Sequence, residues 1–200
     1  MPRTKEAFEA MRETTRQKIE AAALSLFARK GLSVTIDEIA KTAALSKGLL
    51  YSHYPSKEAL VSELLRQAAV ISGTRIKEIA DMDGSAAAKI KRISAMMCEM
   101  LTSSNIGIDY FMFTIQAGMS GFQMPAAALY TADMPNPVES LARIIKEGQS
   151  EGSAANGDPI QLATVYWAAV QGLCCYAITG IPLSLNPGLL SRIILNRRFL

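Results

Sequence analysis

The chain has 200 residues, half of them hydrophobic and 20% charged, with a formal net charge of +3; this excludes a disordered, charge-rich polymer. Its 8 Pro and 13 Gly exclude a collagen-like or low-complexity chain, and the length allows one or two domains with a core of their own. With 3 Cys and 1 His, neither a disulfide framework nor a zinc or multi-histidine site is encoded, so a reducing, cytoplasmic setting without metal or cofactor is expected.

No stretch reads as a strand, and an all-α chain is expected. The first helix is predicted from about Thr14 to Lys30, with Ile19, Ala23, Leu26 and Phe27 on one stripe and Gly31 as a C-terminal stop. Thr35-Ile-Asp-Glu38 is a capping-box pattern that opens a short helix with Ile36, Ile39 and Ala40 inward. Ser46 caps a third helix running to about Tyr54, where Pro55 stops it, and Ser56 caps a fourth that ends near Asp81. Beyond the Asp81–Ser85 connection, helices are predicted near 85–103, 105–123 and 137–150. Asn136-Pro137, Asp158-Pro159 and Asn186-Pro187 each place a cap before a proline, and the last two open helices over about 159–180 and 187–198.

Residues 110–132 and 159–191 carry no charge. A bilayer span would bury Gln116, Gln123, Gln161 and Gln171, and Pro125 and Pro182 interrupt the runs, with no Lys/Arg clusters beside them. Helices buried in a domain or at a subunit interface are expected instead.

The informative unit is Thr35–Lys57. Two very short helices are joined by a three-residue turn, with Ala40 and Ala43 where the helices must approach. That is a helix-turn-helix, whose second helix fits the DNA major groove. Leu50 and Tyr54 face back onto Ile36, Ile39 and Phe27, which leaves Ser46, Lys47, Leu49, Tyr51 and His53 outward, and Gly48 allows close backbone approach. The charge agrees: residues 1–60 hold ten Lys+Arg against seven Asp+Glu, whereas residues 61–200 hold eleven of each. The excess faces a polyanion.

Leu45-Ser-Lys-Gly-Leu-Leu-Tyr-Ser-His-Tyr-Pro-Ser-Lys-Glu-Ala-Leu60, with Leu26-Phe27, Gly31, Thr35 and Ile39-Ala40 upstream, resembles the hallmark of the tetracycline-repressor (TetR) family of bacterial transcriptional regulators over roughly residues 16–60. The resemblance implies that Thr35 contacts phosphate, that Ser46, Lys47, Gly48 and Leu49 lie at base edges, that Tyr51 and His53 reach the backbone, and that Lys57 clamps another phosphate. The sequence departs from the family twice: Ala44 stands where Gly is usual in the turn, and Tyr54 where Phe is usual, so its hydroxyl needs a partner. Leu49 offers no hydrogen bond and can read only a thymine methyl or shape.

In the rest of the chain, eight of the ten Met lie between 82 and 134, among Tyr110, Phe111, Phe113, Phe122 and Tyr130. Such composition lines adaptable apolar pockets and equally fills an ordinary helical core. Family resemblance favours an effector cavity, with Met97, Met100, Phe111, Met112, Gln116, Met119, Tyr130 and Trp167 as its candidate walls. Leu162, Val165, Ala169, Gly172 and Tyr176, with Leu190, Ile193 and Ile194, read as a homodimer interface. The expected organisation is a DNA-binding domain over 1–55, a connecting helix over 56–81, and a ligand-binding and dimerisation domain over 82–200. The expected function is that of a homodimeric repressor, not an enzyme, which binds a palindromic operator and is released by a small, largely apolar effector. The alternative is a constitutive DNA-binding dimer without an effector cavity.

Overall fold

The computed structural model describes residues 5–102, 106–122, 135–179 and 184–199. The fold is all-α; among the described residues the extended pairing is an isolated bridge between Ala154 and Leu195. In chain order the helices are α1 (Lys5–Lys30), a 3-10 turn (Gly31–Ser33), α2 (Ile36–Thr42), α3 (Lys47–His53), α4 (Lys57–Asp81), α5 (Ala86–Thr102), α6 (Ile106–Met119), α7 (Pro137–Ser150), α8 (Pro159–Ile178), α9 (Pro187–Ser191) and a final 3-10 turn (Arg197–Phe199). No helix among the described residues is long and apolar enough to cross a membrane.

The predicted caps form. Thr35 and Glu38 make the reciprocal capping box at α2, and the Ser46 hydroxyl accepts from Leu49 N–H at α3. Asn136, Asp158 and Asn186 accept from the first backbone N–H groups of α7, α8 and α9, each with Pro at the first helical position. Two ends differ from the sequence reading. Helix α1 begins nine residues earlier than predicted, because Lys5–Glu9 (3.9 Å) and Glu13–Arg16 (2.9 Å) pair along a solvated face that carries no apolar stripe. The last helix stops at Ser191 instead of running on to about residue 198. There the backbone turns to pair with the α7–α8 loop: Ala155 N–H donates to Ile194 O at 2.7 Å and Asn196 N–H to Ser153 O at 2.9 Å. The Asn196 amide adds bonds to Gly152 O and Ala154 O, 2.9 Å each.

The chain divides into two compact units, Met1–Leu65 with Met112–Gln123, and Arg66–Phe111 with Met124–Leu200. The division between these units falls inside α4 and α6. In the first unit Ile19, Ala23 and Phe27 of α1, Ile36 and Ile39 of α2, Leu50 of α3, and Leu60 and Leu64 of α4 are buried. Phe113 stacks on Phe27 at a centroid distance of 5.7 Å. Burying a side chain of this size contributes about 1.5–3 kcal/mol. In the second unit α5 packs on α7, α8 and α9. Tyr166 lies fully buried there, its hydroxyl 3.2 Å from Ser94 Oγ.

Candidate nucleic-acid interface

The four-residue connection between α2 and α3, residues 43–46, is shaped by Ala44, which adopts φ 55°. A left-handed alanine costs about 1–2 kcal/mol where glycine would not, and the bond from Leu45 N–H to Ala40 O, 2.9 Å, holds the turn. Leu50 points inward and is fully buried, and Tyr54, the C-cap of α3, is buried beside it. The Tyr54 phenol finds its partner on α1, donating to the Glu20 carboxylate, which also takes Arg16 Nη1 at 3.1 Å. Burial and this bond push the phenol well above its ordinary range, so it stays protonated.

The opposite side of α3 is open. Ser46, Lys47, Gly48, Leu49 and Tyr51 are all exposed, and His53 is half-buried. A Cβ built on Gly48 would meet no atom within 4 Å. Glycine inside a helix costs about 0.5–1 kcal/mol relative to alanine, and no contact among the described residues requires it here. The imidazole of His53 is held below its usual pKa, first by burial and then by Arg12 and Arg16 of α1.

Thr35, Lys47 and Lys57, three of the side chains expected at the duplex, already have partners within the chain. The Lys47 ammonium is 3.0 Å from Asp37 Oδ1, which raises the lysine's pKa. The Thr35 hydroxyl accepts from Glu38 N–H and donates to Glu38 Oε2 at 3.0 Å. Lys57 is drawn inward, donating to Leu32 O at 2.7 Å and to Val34 O at 3.3 Å. The reading of the sequence misses Asp37 as Lys47's partner, since a separation of ten residues across a turn leaves no local pattern. It also misses Glu20 as the acceptor for Tyr54, 34 residues away.

The residues proposed as cavity walls are distributed over both units. Met112 is buried in the first unit, and Gln116 packs there against Gly31, whose φ is +73°. Met119 was expected as a wall and is instead 81% exposed at the end of α6. Met97 and Trp167 are buried in the second unit, where Met100 and Phe111 are half-buried. Phe111 stacks on Trp167 at 6.4 Å, and Tyr166 meets Trp167 edge-on at 5.7 Å. Trp167 is only 9% exposed, and its Nε1–H has no hydrogen-bond partner among the described residues. Tyr130 lies outside the described residues. No group of three or more His, Cys, Asp or Glu suited to a metal ion occurs among the described residues.

Of the residues proposed for the dimer interface, Val165 (56%) and Tyr176 (57%) are exposed on α8, as is Gly172, while Leu162, Ala169 and Ile193 are half-buried. Leu190, on α9, which packs on α5, and Ile194, beyond the end of α9, are buried within the single chain. Helix α8 carries no charged residue, and Thr164, Val165, Ala168, Gln171, Gly172, Cys175, Tyr176 and Thr179 form a continuous exposed stripe along it.

Residues 19–64 match the family of bacterial regulatory proteins, tetR family. Over 70 residues, 34% of this chain, the sequence is 44% identical to an uncharacterized HTH-type transcriptional regulator, YuxN, of Bacillus subtilis strain 168; the match spans 24% of that relative. The fold is that of the MbdR regulator from Azoarcus sp. CIB, with a TM-score of 0.71 and 24% identity over 89% of this chain and 93% of that one. It is also that of a protein from Saccharomonospora viridis in complex with choline, with a TM-score of 0.69 and 22% identity over 92% of this chain and 100% of that one.

Proposed function

We propose that this chain, whose residues 19–64 match the tetR family of bacterial regulatory proteins, is a homodimeric repressor whose α3 reads a palindromic operator and whose second unit binds a small effector that releases it. The observation that carries the DNA reading is Gly48. It sits in a seven-residue helix with open space around it, amid exposed Leu49 and Tyr51. A helix that pays for a glycine its own fold does not use, and turns apolar side chains outward, is suited to close approach by a duplex.

In this reading Lys47, Ser46, Gly48 and Leu49 lie at base edges, Tyr51 and His53 at the backbone, and Thr35 at a phosphate. Lys57 fixes the turn ahead of α2 and keeps one donor for a phosphate. One such helix contacts few bases, so two act together about one duplex turn apart, ~34–36 Å. The uncharged, exposed stripe of α8 supports self-association through that helix.

The effector reading is supported by Trp167. A buried N–H without a partner costs about 1–3 kcal/mol, and a largely apolar molecule with a hydrogen-bond acceptor would remove that cost. The choline complex of the Saccharomonospora viridis protein supports a small ligand in a chain of this fold. To act as a switch, the effector must bind the DNA-incompetent arrangement more tightly than the competent one; α4, shared between the two units, would carry the change. The test is duplex binding titrated against salt and then against a small-molecule library. A repressor loses affinity steeply with salt and is released by at least one compound that also quenches or shifts the fluorescence of Trp167, the one tryptophan in the chain. Duplex affinity indifferent to salt would sink the DNA reading. Salt-dependent binding that no compound alters would favour the constitutive dimer.

A further inference from the structure

Lys47 stands at the first position of α3, on the side that exposes Gly48, Leu49 and Tyr51. Its ammonium lies 3.0 Å from Asp37 Oδ1 and 3.1 Å from Asp37 Oδ2, and the two side chains are 53% and 68% exposed. Ion pairs this open contribute little to stability. An acid in the first turn of α2 suits the N-terminal end of that helix, but the fold does not require it to stand directly beside the cation that α3 presents outward.

The pair matters for what the lysine can bind. Sequence-independent attachment to a duplex is electrostatic and scales with the number of phosphates neutralised. A phosphate that attracts Lys47 also repels Asp37 beside it, so the pair adds almost nothing to that term. A base-edge acceptor such as guanine O6 or N7 acts through short, directed hydrogen bonds. A lysine has three donors and can keep one on Asp37 while giving another to the base.

The next residue works in the same way. Glu38 Oε2 accepts the Thr35 backbone N–H at 2.9 Å and the Thr35 hydroxyl at 3.0 Å, and Glu38 Oε1 takes Lys30 at 3.3 Å. The start of α2 thus presents two carboxylates with their cations already engaged, where a general phosphate binder would present bare cations and bare N–H groups.

We propose that Asp37 is a specificity-determining residue for duplex recognition: by pairing with Lys47 it suppresses attachment to arbitrary DNA backbone while leaving the lysine aimed at a base edge. This rests on the reading of α3 as the DNA-contacting helix. It assigns to α2 a discriminating role in place of a purely supporting one.

The test uses the full-length protein with Asp37→Asn, Lys47→Met and the double variant. The probes are a duplex recovered by selection from a random pool and a scrambled duplex of the same length. Asp37→Asn is expected to tighten binding to the scrambled duplex roughly tenfold and to steepen its salt dependence by about one phosphate contact per subunit. Affinity for the selected duplex should change less than about threefold, so that discrimination falls. In the Lys47→Met background, Asp37→Asn should leave discrimination unchanged, since the pair is already broken. Tightening of both duplexes by the same factor would overturn the proposal, as would a loss of discrimination that persists without Lys47; either result would make Asp37 only a repelling charge. If wild type itself shows no salt-dependent duplex binding, the reading of α3 fails, and it fails separately from the role given to Asp37.

Discussion

The phenol of Tyr54, at the end of α3, donates to the carboxylate of Glu20 in the middle of α1. Glu20 is itself buried, and the Arg16 guanidinium completes its coordination at 3.1 Å. The hydroxyl added at this family position is thus matched by an acceptor that ties the outward-facing helix to the longest helix of its unit. Tyr54→Phe removes the donor and leaves Glu20 with less compensation for its burial. Because hydrogen bonds to charged groups are worth about 1.5–3 kcal/mol and Arg16 remains in place, a loss of about 1–2 kcal/mol is expected. A lowered urea midpoint, with duplex affinity preserved under native conditions, would show it.

His53 gives a pH dependence of known sign. Burial and the guanidinium groups of Arg12 and Arg16 hold its pKa below the ordinary value of about 6.5. Between the folded value and about 6.5 the unfolded chain binds more protons, so stability falls as pH drops through that window. A phosphate beside the ring supplies the opposite charge and raises its pKa, so the complex takes up a proton. Duplex affinity should therefore rise severalfold as pH falls through the same window, and His53→Gln should flatten the profile. Binding isotherms at closely spaced pH values measure this, and a flat wild-type profile would remove His53 from the backbone contacts.

Gly172 separates association from folding. It lies on the exposed stripe of α8, and a Cβ built there meets nothing within 4 Å. Gly172→Ala should stabilise the isolated subunit by about 0.5–1 kcal/mol through helix propensity alone. Gly172→Glu should fold equally well but place a charge on the uncharged stripe and lower the dimer's affinity at least tenfold. Sedimentation equilibrium distinguishes the two variants. A dimer unaffected by Gly172→Glu would move the interface away from α8.

Much of the fold is legible where the signal is local. The capping box at Thr35 and the three cap-proline pairs act over two to four residues, and each opens its helix where expected. The front of α1 is not legible by hydrophobic periodicity, because charge pairs stabilise it. Leu190 shows why an apolar pattern alone does not identify its partner: on α9, which packs on α5 of the same chain, it is buried without a second copy. Around α3 the exposed residues follow from the sequence, whereas Asp37 on Lys47 and Glu20 on Tyr54 depend on how helices meet, which no spacing encodes.

The most direct measurement replaces Gly48 with leucine and follows thermal stability and duplex affinity together. No atom of the described residues lies within 4 Å of a Cβ built on Gly48, and leucine is a far better helix former, so the melting temperature should hold or rise. The added side chain occupies the space through which a duplex would approach, so affinity for a selected palindromic duplex should fall at least tenfold, about 1.4 kcal/mol or more. A stably folded Gly48→Leu variant that binds the duplex as tightly as wild type would contradict the placement of α3 against DNA.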